Sequence, residues 1–241
     1  MIQIFILLAL TPLCFLQEGS YERVGGSSWN DSTCMASMDG SLWIIDDGSL
    51  YQVNTGGKYD RKSGSYDDAR CMTALDGALW VVDNGSLYQV DKNGKYERKR
   101  GSWDDSRAMT ALDGHLWIVD SGSLYKVDKN GKYDRLPGGW DETRCMAALG
   151  EHLWIVDGGS LYRVDTKGKY ERMEGSWNDA KSMTAARGHL WIADGGSLYR
   201  IDTKGKYERM KGSWDDASCM TSLNDEIWAV DSGSLYHVKT K

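Results

Sequence analysis

Short runs of alternating apolar and polar positions recur from Tyr21 onward, each closed by a polar pair that usually contains glycine. In one stretch they read Arg107–Leu112, Leu116–Asp120, Ser123–Val127 and Lys132–Arg135. β-Branched and aromatic residues dominate, and no window has helical spacing, so each run predicts a strand. Asp113-Gly114, Ser121-Gly122 and Asn130-Gly131 separate the runs. Such pairs supply the positive φ angles of tight hairpins, so the four runs predict one antiparallel meander.

The meander repeats every 37 residues. Trp29, Tyr66, Trp103, Trp140, Trp177 and Trp214 keep that spacing, as do Trp43, Trp80, Trp117, Trp154, Trp191 and Trp228. Every Trp and Tyr belongs to such a series. Four-stranded units at this period are the signature of propeller blades. The expected fold is therefore all-β: a six-bladed β-propeller of four-stranded antiparallel blades. Tyr21-Glu22-Arg23 reads as a fourth strand without its first three, and Ser234–Val238 as a third strand without its fourth. The N-terminal strand is thus expected to complete the last blade and leave no open edge.

Composition changes this picture little. A hydrophobic content of 41% suffices for a packed core, and the net charge of −6 argues against a nucleic-acid partner. Residues 1–19 open with an apolar run too short to span a bilayer and are expected to be a signal peptide, which makes the protein secreted. Residues 20–241 are then one propeller domain, and no later segment predicts a transmembrane span. Cys34, Cys71, Cys145 and Cys219 share one repeat position that Ala108 and Ser182 also fill. That favours small buried packing residues, with a disulfide between neighbouring blades as the alternative.

Meander topology places the second-to-third turn and the blade-to-blade connection on one face, here the upper face. It carries the row Asp46, Asp83, Asp120, Asp157, Asp194 and Asp231, for which turn chemistry is the simpler reading. It also carries the connections, whose aromatic rings, acids and arginines form the candidate ligand-binding set. These are Trp29, Tyr66, Trp103, Asp104, Asp105, Arg107, Trp140, Asp141, Arg144, Trp177, Asp179, Trp214, Asp215 and Asp216. Flat rings can stack on the C–H face of a sugar while carboxylates and guanidinium groups bind its hydroxyls; equally, the rings of this series can pack between blades and anchor the outer strand. The lower face carries Lys-rich turns such as Lys129–Lys132 and Lys204–Lys206, for which a solvated fringe is the simpler reading and docking on an anionic surface the alternative. No unique catalytic constellation stands out, because every candidate group is repeated. No metal or other cofactor is expected, and no loop has a dedicated calcium spacing.

The succession Gly-Ser-Trp, Gly-x-Leu-Trp-x-Val, Leu-Tyr-x-Val and Tyr-x-Arg resembles the tectonin and tachylectin propeller lectins. Gly138-Gly139-Trp140 and Gly159–Arg163 match their blades most closely. The likeness covers Tyr21 onward. It implies a secreted, multivalent, non-enzymatic lectin of innate immunity that binds N-acetylated sugars, lipopolysaccharide or other glycoconjugates. A structural or adhesive scaffold, or a metal-dependent enzyme with its site at the central channel, stands as the alternative.

Overall fold

The computed structural model describes residues 18–240. The expected leader lies outside them except for Glu18 and Gly19, where the Gly19 N–H donates to the Lys239 carbonyl at 2.8 Å. Twenty-four strands form six four-stranded antiparallel sheets.

In the first blade β2 (Ser32–Met38), β3 (Ser41–Asp46), β4 (Ser49–Val53) and β5 (Tyr59–Arg61) pair in sequence order. The next four blades repeat this meander, with inner strands β6 (Ala69–Leu75), β10 (Ser106–Leu112), β14 (Thr143–Leu149) and β18 (Ala180–Ala186). These bounds fall within a residue or two of the expected runs. Asp113 and Gly114 both have positive φ, at 52° and 68°, as a two-residue hairpin loop needs. The outer turn differs from expectation. Only Gly131 of the Asn130-Gly131 pair has positive φ, and the Asp128 carboxylate caps that loop instead, accepting the Asn130 and Lys132 N–H groups at 2.9 Å each.

The last blade closes the ring. β1 (Tyr21–Arg23) pairs antiparallel with β24 (Ser234–Val238), beyond which lie β23 (Glu226–Asp231) and β22 (Ala217–Leu223). Tyr21 faces Val238 and Arg23 faces Tyr236. The Tyr21 ring meets Trp214 edge-on at 5.1 Å and Tyr236 at 5.8 Å. β22 also packs against β2, so first and last blades adjoin.

The core lies between blades. One cluster joins Trp80, Val82 and Leu87 of the second blade to Met109, Leu116 and Ile118 of the third, with Trp103 between them. Five similar clusters fill the remaining boundaries. Removing this apolar surface from water holds neighbouring blades at fixed angles, and those angles bring six inner strands around one axis. All four described cysteines are free and buried, and burial pushes the thiols of Cys71 and Cys145 up to about 12.

Candidate functional site

The connection between blades folds back over the hairpin it has just left. The Trp103 N–H donates to the Gly85 carbonyl at 2.9 Å, and the indole turns inward. There it meets Tyr125 at 5.5 Å and Tyr133 at 5.3 Å, both edge-on. Trp29, Tyr66, Trp103, Trp140, Trp177 and Trp214 are only 1–4% exposed. This corrects the expectation of stacking platforms: the rings are wedges between blades and present no face to a ligand. Burial also pushes the Tyr66 phenol up to about 12.

The acids after these rings are held by the backbone. Asp104, Asp141 and Asp215 each rest a carboxylate oxygen against a hairpin glycine, Gly85, Gly122 and Gly196 respectively. Ser102, in the same connection, donates to Asp104. The next residue contributes its main chain: the N–H groups of Asp105, Asp179 and Asp216 donate to Oδ1 of Asp120, Asp194 and Asp231 at 3.1, 2.9 and 3.1 Å. Asp120 and its five counterparts therefore brace the start of each inner strand. Burial raises the carboxyl pKa of all six, against the lowering effect of the amide each one accepts. The Asx-turn reading of this row does not account for these bonds, because each amide belongs to the connection fifteen residues earlier and not to the hairpin that follows the aspartate. The raised pKa values were not legible in the spacing.

At that strand start every blade carries a β-bulge. In the third blade the register shifts between Ser106 and Ala108, so both are buried and Arg107 is turned outward. A bulge re-aims one side chain in this way. The same position holds Thr33, Arg70, Arg107, Arg144, Lys181 and Ser218, all exposed, at the upper mouth of the central channel. Arg107 and Arg144 belonged to the expected set, whereas Arg70 and Lys181 did not. Arg70 lies 3.7 Å from Asp68. Arg107, Arg144 and Lys181 form no salt bridge among the described residues. The Arg144 charge nevertheless reaches Asp194 of the next blade and partly offsets the effect of burial there.

Below the mouth the channel encloses about 230 Å³, with Ser37, Thr73, Thr110, Thr184, Thr221 and Ser222 among the residues of its wall. The wall carries no ionisable carboxylate, amine or imidazole. Among the described residues no group of three or more His, Cys, Asp or Glu side chains is placed to hold a metal ion.

On the lower face, two smaller cavities of about 220 and 190 Å³ occupy matching places on the fourth and fifth blades. Arg163 pairs with Glu171, and Arg200 with Glu208 and Glu18. The Lys-rich turns frame aspartates that stay ionised: backbone N–H groups lower the carboxyl pKa of Asp91, Asp128 and Asp165. Among the described residues no helix is long and apolar enough to cross a membrane.

No family model and no curated protein matches the chain. Solved structures do. A streptogramin B lyase is similar at 14% identity over 92% of this chain and 98% of its own, with a TM-score of 0.66. A calcium-binding regucalcin of Agrobacterium tumefaciens shares 15% identity over 92% and 94%, with a TM-score of 0.71. A gluconolactonase of Xanthomonas campestris shares 14% over 91% of each chain, with a TM-score of 0.70. At such identities the likeness establishes the propeller fold alone. It still corrects the expectations of a lectin, of a role in innate immunity and of a protein without catalytic activity. The lectin resemblance reduces to blade architecture, the rings it relied on are buried, and the matching propellers include enzymes.

Proposed function

We propose that this chain is a hydrolase of small esters or lactones, with its site at the upper mouth of the central channel. One observation carries the reading. Asp194 is half-buried, its carboxyl pKa is raised, and the Arg144 charge acts on it from the neighbouring blade. A carboxylate poised nearer neutrality is a better general base, and a guanidinium of the neighbouring blade whose charge reaches it can hold developing negative charge. The gluconolactonase and lyase among the matching folds agree with a small-molecule reaction on this architecture.

In this mechanism Asp194 takes a proton from water as the water oxygen attacks the acyl carbon. Arg144 donates to the oxyanion that forms. The tetrahedral intermediate collapses, the acyl C–O bond breaks, and Asp194 returns the proton to the leaving alkoxide. The product of a lactone is a hydroxy acid, and no redox partner is required. The test is a panel of γ- and δ-lactones and aryl acetates followed by proton release at constant pH. Turnover above the buffer rate that falls at least tenfold in Asp194→Asn supports the reading. A folded protein that turns over none of the panel overturns it.

A further inference from the structure

The six inner strands are near copies in fold but not in what their bulges present. Arg70, Arg107, Arg144 and Lys181 occupy four successive blades, whereas Thr33 and Ser218 occupy the two blades at the closure. The mouth is therefore polarised. One side is a crescent of four exposed cations, and the other is neutral, with Ser218 Oγ bonded to Ser32 Oγ at 2.6 Å. The acids of this face lie on the connections, where Asp68 comes within 3.7 Å of Arg70, and on the second strands, whose Asp83, Asp120, Asp157 and Asp194 pair with the residue before each cation. Inboard of the crescent the channel wall carries hydroxyls and no charge, so the axis meets the cations first. Among the described residues Arg70 forms a salt bridge, to Asp68 at 3.7 Å, and the Arg144 charge reaches Asp194.

We infer that the mouth selects anionic ligands: the ester or lactone it takes carries a carboxylate group that docks on the crescent, away from the acyl carbon. This rests on the hydrolase reading above and names its substrate class. Two guanidinium forks flanked by a third and by an ammonium match carboxylates better than they match neutral polyols. A ligand so held is turned in one sense only, because blades six and one have no cation to compete. The polarity assigns the carboxylate end to Arg70 and Arg107 on blades two and three, which leaves the acyl end to Arg144 and Asp194 on blades four and five.

The probe is citrate, titrated calorimetrically at low ionic strength into the wild-type chain and into the double variant Arg107→Gln, Lys181→Gln. Neither substituted residue takes part in the proposed proton transfer, and both are exposed, so the fold survives, as matching thermal transitions will show. The expected result is saturable citrate binding by the wild type, at least tenfold weaker in the double variant and weakened by added salt. Ser218→Ala serves as the neutral-side control and retains the wild-type affinity. Absence of citrate binding, or equal affinity in the double variant, overturns the inference. The hydrolase reading is tested apart, with a neutral lactone. Turnover of that lactone without citrate binding removes the anion preference alone, and citrate binding without turnover of any ester removes the hydrolase reading alone.

Discussion

The Asp104 carboxylate occupies the space into which a Cβ on Gly85 would project. The contact repeats at five further boundaries, with Asn30 and Asn178 replacing aspartate at two of them. It couples the returning connection to the hairpin beneath it, so a loop acid read as a ligand contact acts as part of the blade joint.

Gly85→Ala meets two obstacles at once. The backbone there has φ of 65°, which costs an L-residue roughly 1–2 kcal/mol. The methyl group must also displace the Asp104 carboxylate. Urea denaturation is expected to show a loss larger than the backbone cost alone, and the Gly85→Ala, Asp104→Ala pair should recover part of it. An additive pair would show that the two residues do not share a contact.

Trp103→Ala empties a boundary rather than a binding surface. A buried aromatic truncated to alanine costs about 3–5 kcal/mol. The melting temperature should fall accordingly. Tyr is tolerated at the equivalent position 66, so Trp103→Tyr should fall much less. Equal stability of Trp103→Ala and wild type would mean the ring is not a wedge.

Two classes of aspartate give opposite pH responses. Asp120 has a raised carboxyl pKa through burial, so it takes up its proton more readily folded than unfolded. Its contribution is full below the ordinary carboxylate pKa and is lost as pH rises through the folded value. Asp128 has a lowered pKa through the Lys132 and Asn130 amides, so its contribution is present at neutral pH and is lost as pH falls through the folded value. Relative to wild type, Asp120→Asn should gain stability between about pH 3 and pH 7, whereas Asp128→Asn should lose it over the same range. Denaturation midpoints at both pH values report the signs, and parallel behaviour of the two variants would contradict them.

The thiols of Cys34, Cys71, Cys145 and Cys219 are buried, and burial raises their pKa. A thiol-disulfide reagent should leave all four unmodified in the native chain and label them in denaturant without prior reduction. Labelling that required a reductant would point to a disulfide between blades.

The repeat, the four strands of each blade and the closure by Tyr21–Arg23 were legible because each rests on local periodicity and turn chemistry. The fate of Trp103 was not. A flat ring beside acids in a connection reads equally as a platform or a wedge until Tyr125 and Tyr133 of the next blade are seen to cover it. Arg70 and Lys181 escaped notice for another reason. Simple alternation does not reveal that Ser106 and Ala108 both face inward, since the extra bulge residue breaks the two-residue period. The signal that could have found them is the repeat position itself, where Thr, Arg, Arg, Arg, Lys and Ser succeed one another while both neighbours stay small. The reach of the Arg144 charge to Asp194 crosses a blade boundary and has no local signature at all.

The central claim is that chemistry occurs at the upper mouth of the channel. Its most direct test compares initial rates of lactone hydrolysis for Asp194→Asn and Arg144→Gln with those for His152→Ala and His189→Ala on the lower face. The account predicts that the first pair each lose at least tenfold in kcat while remaining folded at the assay temperature, whereas the second pair keep the wild-type rate. Loss of activity in the histidine variants, with Asp194→Asn and Arg144→Gln unaffected, would place the site on the opposite face and contradict it.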